Sequence, residues 1–346
     1  MKAAVFKGAG EPLVIEEVPD PTPEPSELVL KVQACGICGT DLHWSEGADP
    51  AAGWRKLDPG SVMGHEFSGE VVEVGAEIGD RYKVGQRVVA QPFIACGHCP
   101  ACLAGRAYRC PDVKNRASDI VTGAYAEYTR IGVHETLALP EAVSFQEGAL
   151  VEPLAVGLNA VKRAGLEAGD AVLIVGAGPV GLSVALWCRF FGARHIIVSD
   201  LVSARADRAA EFGATAAIDA SKEEVIDRFQ RIAGAMPRVV FDCVGVPGSL
   251  QLSIDYAPIN AHIMVVGLCM AQDSFFPAKA IVKELDLTFC FVYSLADFRM
   301  VVEMLGQGRI PASALVTDSV GFDAFPTAFE ALKTPSEQIK VMLEPD

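Results

Sequence analysis

Apolar and polar positions follow two different rhythms along this chain. Over Glu27 to Gln33, Leu28, Leu30 and Val32 alternate with Lys31 and Gln33, the period of two that a half-buried strand requires. Gly69 to Gly75 and Gly85 to Ala90 predict two more short strands bounded by glycine, and Met1 to Gly8 reads as another. Prolines at 12, 19, 21, 23 and 25 keep the early loop extended. From about Ala155 the rhythm changes. Short apolar runs at Ala171–Val175, His195–Ser199, Arg238–Asp242 and His262–Val266 predict buried strands, and the stretches near 179–191, 203–212, 222–233 and 247–257 predict helices between them. A last apolar run near Leu287–Val292 ends the series, and residues 294–346 return to short mixed elements. Strands alternating with helices predict a parallel sheet covered on both faces. The fold class is therefore α/β, with a β-rich domain over 1–154 and 294–346 and a doubly wound domain over 155–293.

Composition narrows the picture. With 346 residues, 51% hydrophobic and 21% charged, the chain predicts two packed domains and no long disordered segment. A net charge of −15 repels phosphate backbones and argues against nucleic acid. The N-terminus lacks an apolar stretch of signal-peptide length. Gly176, Gly178, Pro179 and Gly181 interrupt the most apolar segment, Ala171–Trp187, so it predicts a strand, turn and helix and no membrane span. The expected location is the cytoplasm. There, ten cysteines are free thiols or metal ligands.

Three constellations carry chemistry. Cys35-Gly-Ile-Cys38-Gly-Thr40-Asp41-Leu-His43, with Gly64-His65-Glu66 downstream, offers a thiolate, an imidazole and a carboxylate, all ligands for zinc. The same residues also suit a redox pair beside an ordinary polar loop. Cys96, Cys99, Cys102 and Cys110 follow C-x2-C-x2-C-x7-C, the tight grouping of a closed structural zinc site. An iron-sulfur cluster also takes four cysteines, but there is no second cysteine cluster here. His98 reads as a loop residue facing solvent. Gly176-Ala-Gly178-Pro-Val180-Gly181 follows a predicted strand and opens a predicted helix, and Asp200 closes the next strand 19 residues after Gly181. That context marks a dinucleotide fingerprint. Asp200 favours NAD over NADP by binding the ribose hydroxyls, whereas Arg205 is a guanidinium that could accommodate a 2′-phosphate.

In this order, these motifs resemble the zinc-dependent medium-chain dehydrogenase/reductase family, most closely its sorbitol and butanediol branch, and the likeness runs through the whole chain. It implies a GroES-like catalytic domain and a Rossmann domain, two zinc ions per chain, and a structural zinc on Cys96, Cys99, Cys102 and Cys110. It makes Cys38 and His65 ligands of a catalytic zinc, with Glu152 in the place of a third cysteine and Glu66 as a second acid that binds zinc or stands behind it. Cys35 falls outside the ligand set, and Asp41 orients His65. Thr40 and His43 carry the alcohol proton outwards. Val180, Val266, Gly267, Leu268 and Phe291 approach the cofactor, and Trp44, Trp54 and Phe93 border the substrate.

The resemblance further implies hydride transfer between NAD(H) and a secondary alcohol, diol or polyol, small-molecule alcohol or ketone substrates, and a homodimer or homotetramer. Primary-alcohol and threonine dehydrogenases of the same family are the alternative. A non-catalytic zinc protein fits poorly, because a second complete metal set lies beside the four-cysteine lobe. A zinc-free quinone reductase would lack Cys38, His65 and that lobe.

Overall fold

A computed structural model describes residues 1–47, 56–115 and 123–345. Trp54 lies outside the described residues. The chain divides into two compact units, one of residues 1–152, 293–334 and 340–346, the other of 153–292 and 335–339.

The first unit is organised on a ten-residue strand, Glu27–Gly36, longer than the alternation alone predicts. It pairs antiparallel with Glu66–Val74 along one edge. Along the other edge it pairs with Tyr128–Gly132 and, at its end, with Lys340–Leu343. It is buried at nearly every position, so its apolar content outgrows strict alternation. The register sets Gly36 opposite both Glu66 and Met342. The strand's end, and the turn that follows it, is thus fixed by two neighbours that are remote in sequence. Phe67, Leu30, Val71, Val88 and Met342 are fully or almost fully buried around it, and burying each large apolar side chain contributes about 1.5–3 kcal/mol.

The second unit holds a six-stranded parallel sheet in the order Ala216–Asp219, His195–Asp200, Ala171–Val175, Val239–Asp242, His262–Val265, Asp286–Phe289. The order reverses between Ala171–Val175 and Val239–Asp242, the switch point at which such sheets bind ligands. Leu173, Ile197, Val240, Ile254, Ile263 and Phe229 form its buried core. Four of the predicted strands stand within a residue of their expected ends. The last apolar run is strand only as far as Phe289, because the backbone then turns, reaching φ +57° at Val292.

The apolar pattern predicts no strand at Ala216–Asp219: Ile218 is its only fully buried residue and two alanines precede it, too little apolar signal to read from sequence. The predicted 203–212 helix is helical over Ser203–Arg208 and then tightens into a 3₁₀ turn that ends at Gly213, φ +89°. Both belong to the same crossover.

Candidate active site

The strand Glu27–Gly36 delivers Cys38 to the N-terminus of the helix Gly39–Glu46, where Cys38 is the capping residue in extended conformation. Thr40 and His43 follow on that helix, three residues apart, so they share one face; both are half-buried. Asp41, in the first turn, is fully buried. Its Oδ1 lies 3.2 Å from Nδ1 of His65, and its Oδ2 accepts a hydrogen bond from the Tyr125 hydroxyl at 2.5 Å. With Nδ1 held this way, Nε2 is the ring nitrogen left to act as a ligand.

Cys38, His65 and Glu66 form a cluster in which one ligand atom from each lies within 4.8 Å of the others. The acid inside this cluster is Glu66, first residue of its strand; Glu152 is not a member. Glu152 sits in the first turn of the helix Val151–Arg163 and is 9% exposed. It feels the charges of His65, Glu66 and Lys340 and hydrogen bonds with Tyr293. Cys35 is completely buried and also stands outside the cluster.

The second carboxylate has a partner that the motifs do not reveal. Lys340 Nζ donates to Glu66 Oε1 and Oε2 at 2.8 and 2.5 Å and to the Ile37 carbonyl at 2.8 Å. Both side chains of the pair are almost completely buried. A lysine inside the apolar strand Lys340–Leu343 was the available signal, since a buried ammonium needs a counter-charge. Tyr125 carries no comparable signal in its own neighbourhood.

The electrostatics suit a cation. Burial pushes the Glu152 carboxyl up to about 7, with Glu66 adding to the rise and His65 opposing it. Burial alone lowers the pKa of His65, yet Asp41 and Cys38 together hold it well above the ordinary imidazole range. Burial likewise opposes the Lys340 ammonium, and Glu66 more than offsets it. Cys38, Asp41, Glu66 and Glu152 can each carry one negative charge, against the ammonium of Lys340 and the imidazolium of His65. A divalent cation fits that imbalance, and the thiolate, imidazole and carboxylate donors fit zinc.

The four remaining cysteines of the motifs make a separate group, again with ligand atoms within 4.8 Å. Cys99 caps the helix Pro100–Leu103, and Cys102 lies within that helix. The Sγ atoms of Cys99 and Cys102 are 3.5 Å apart and those of Cys96 and Cys102 3.9 Å. Tetrahedral Zn–S bonds of about 2.3 Å would place sulfurs about 3.8 Å apart. All four thiols are free. Hydrogen bonds from the backbone at His98 and Cys99 help pull the Cys96 thiol down to about 6, while burial pushes Cys102 up to about 12. A shared cation removes the obstacle to ionising all four. The exposed His98 is outside this group, its Nδ1 2.8 Å from the Cys96 carbonyl oxygen.

In the second unit the glycine fingerprint has the geometry that its spacing predicts. Gly176 has φ +100°. A Cβ on Gly178 would meet nothing within 4 Å, whereas one on Gly181 would lie 1.9 Å from the Gly176 carbonyl oxygen. Gly178 thus leaves open space at the N-terminus of the helix Pro179–Phe190, where a phosphate would be bound. Val180 is the second residue of that helix. Asp200 accepts from the backbone N–H of Ala177 through Oδ2 and of Val202 through Oδ1, both at 2.7 Å. Arg205 is half-buried on the helix Ser203–Arg208. Val266, Gly267 and Leu268 follow the strand His262–Val265, and a Cβ on Gly267 would lie 2.4 Å from Gly245 N. Phe291 is 47% exposed. Trp44 and Phe93 are buried in the first unit and belong to its core.

Comparison with known proteins decides the family. Residues 24–141 match the alcohol dehydrogenase GroES-like domain, and residues 179–307 match the zinc-binding dehydrogenase domain. The sorbitol dehydrogenase of Bacillus subtilis (strain 168) is 33% identical over 349 residues, covering 100% of this chain and 98% of that protein. The chain is a zinc-dependent medium-chain dehydrogenase of the sorbitol branch. Two solved structures align with this dehydrogenase over nearly their full length. The 2R,3R-butanediol dehydrogenase of Bacillus subtilis is 32% identical with a TM-score of 0.84, covering 100% of this chain and 99% of its own. A zinc-binding dehydrogenase from Sinorhizobium meliloti 1021, bound to NADP, is 28% identical with a TM-score of 0.85, covering 99% of each chain. As in other family members, the dehydrogenase joins a GroES-like domain to a Rossmann-like parallel sheet.

Proposed function

We propose that this dehydrogenase oxidises a secondary alcohol, vicinal diol or polyol to a ketone with NAD, with Cys38, His65 and an acid from Glu66 or Glu152 holding the catalytic zinc. The observation that carries the reading is the partly buried Cys38–His65–Glu66 cluster, with Glu152 near enough to feel its charges. An acid in place of a third thiolate is a harder ligand, as the resemblance to the sorbitol and butanediol branch implies. Zinc bound there supplies a Lewis acid to the substrate oxygen.

The chain's own residues do the rest. Asp41 fixes the tautomer and direction of His65. Thr40 would accept the alcohol proton on its hydroxyl while giving up its own to the nicotinamide ribose, from which His43 passes a proton to solvent. Gly176, Gly178 and Gly181 shape the pyrophosphate turn, and Val180, Val266, Gly267, Leu268 and Phe291 line the cofactor. Asp200 keeps a lone pair on each oxygen beyond its two backbone bonds and receives the ribose hydroxyls. This favours NAD, and a bound 2′-phosphate would meet a carboxylate. The four-cysteine lobe holds the structural zinc.

A homo-oligomer fits the strand Asp286–Phe289, the outermost of its sheet among the described residues, on which Phe289 and, just after it, Phe291 are exposed. Among the described residues no helix is long and apolar enough to cross a membrane. Ten free cysteines suit the reducing cytoplasm. A panel of primary alcohols, secondary alcohols, diols and polyols with NAD and NADP, followed by the absorbance of the reduced cofactor, tests the proposal.

A further inference from the structure

Resting on the reading of Phe291 as a cofactor-lining residue, we propose that Asn159 is a positioning residue for the nicotinamide end of the cofactor: it locks a strained turn at Val292 and through that turn holds Phe291 in place. Among the described residues, Asn260, Glu284 and Val292 are the non-glycine residues with positive φ, and Val292, at +57°, is the β-branched one. A branched side chain in the left-handed region crowds its own backbone, so the conformation persists only where neighbours impose it.

The neighbour is Asn159. Its Nδ2 donates to the Val292 carbonyl at 2.6 Å and reaches Cys290 Sγ at 3.3 Å, one contact on each side of Phe291. The Cys290 N–H donates to the Val265 carbonyl at 2.8 Å, which ties the start of the turn to the strand that precedes Val266, Gly267 and Leu268. Asn159 is half-buried within the helix Val151–Arg163, between the fully buried Leu158 and Ala160, an interior position that asparagine disfavours unless its amide is used. That helix is seated on the helix Pro179–Phe190: Trp187 Nε1 donates to the Leu154 carbonyl at 2.8 Å, and a Cβ on Gly157 would lie 2.2 Å from Ser183 Oγ. The helix of the glycine fingerprint, Asn159 and the Val292 turn therefore form one connected series that ends at Phe291.

Sheet order fixes which end of the cofactor this series serves. Asp200 closes the strand on one side of Ala171–Val175, and the glycine turn follows Ala171–Val175 itself. With the adenosine ribose at the first and the pyrophosphate at the second, the nicotinamide half runs to the other side of the switch point, over the ends of Val239–Asp242, His262–Val265 and Asp286–Phe289. Phe291 lies just beyond the last of these strands.

The test compares NADH with ADP-ribose, which has no nicotinamide, by calorimetric titration of each into the purified full-length protein. Asn159→Leu keeps the size of the side chain and removes the donor. It is expected to weaken NADH about tenfold and ADP-ribose less than about twofold. Val292→Gly removes the Cβ penalty of the left-handed turn, so Asn159→Leu/Val292→Gly is expected to regain at least about threefold in NADH affinity. The proposal is overturned if Asn159→Leu binds NADH as the unaltered protein does, if it loses NADH and ADP-ribose equally, as general damage to the fold would, or if the double variant binds NADH no better than the single one. If Asn159→Leu does not fold, Asn159→Asp, of the same shape without the donor, is judged by the same comparison. Phe291→Ala isolates the underlying reading: unchanged NADH affinity there shows that Phe291 does not line the cofactor and overturns both, whereas a loss there beside none in Asn159→Leu overturns the role of Asn159 alone.

Discussion

Tyr125 and Asp41 are joined by a 2.5 Å hydrogen bond between two completely buried side chains, and the other oxygen of Asp41 is the one that faces His65. The phenol therefore fixes the carboxylate that fixes the imidazole. Tyr125 is itself wedged against Phe325, ring centroids 4.8 Å apart, and Phe329 at 6.1 Å. Tyr125→Phe keeps that packing and removes only the hydroxyl. It is expected to weaken the catalytic zinc about tenfold while leaving the structural zinc in place, as measured by the zinc retained after graded chelation.

Zinc content should be two per chain, with unequal lability. Mild chelation is expected to abolish activity before circular dichroism changes, because the four-thiol site has no position open to a competing ligand. Cys110→Ser should instead lower the melting temperature, since a structural zinc contributes on the order of 10 kcal/mol to folding in small modules. Iron in the purified protein, or a single zinc, would contradict the two-site account.

Asp200 should set the cofactor preference. Hydrogen bonds to a charged group contribute about 1.5–3 kcal/mol, so Asp200→Ala is expected to raise the KM for NAD by roughly tenfold to a hundredfold and to admit NADP. Gly181→Ala places a methyl 1.9 Å from a carbonyl oxygen and should abolish binding of either nucleotide, measured by fluorescence titration. A wild-type preference for NADP would show that Arg205, and not Asp200, reads the ribose.

Thr40→Val preserves shape and removes the hydroxyl that begins the proton path. Turnover is expected to fall about 10²-fold or more, with nucleotide affinity little changed. Rapid-mixing kinetics that separate binding from hydride transfer would locate the loss.

Much of the molecule is legible from local pattern. The strand Ala171–Val175, the turn at Gly176 and the helix that begins at Pro179 are encoded within a dozen contiguous residues, and Cys96 to Cys110 declare their group by spacing alone. Ala216–Asp219 is not legible, because its strand state comes from pairing with His195–Asp200 and not from its own weak apolar content. The helix Val151–Arg163 hides behind Pro153, which looks like a breaker but is tolerated in a first turn. Lys340 and Tyr125 are illegible for a different reason: they meet Glu66 and Asp41 across 274 and 84 residues, and only the tertiary fold brings them together. Motif spacing names the acids near the metal. It does not say which one is already paired.

The most direct measurement of the central claim is the initial rate of cofactor reduction by the zinc-replete protein with NAD, using matched primary and secondary alcohols, 2,3-butanediol and sorbitol, before and after removal and return of zinc. Secondary alcohols, the diol or the polyol should be oxidised with kcat/KM at least about tenfold above the primary alcohols, and the rate should vanish on chelation and return with zinc. A clear preference for primary alcohols, or a rate that survives loss of the Cys38–His65 metal, would contradict the account.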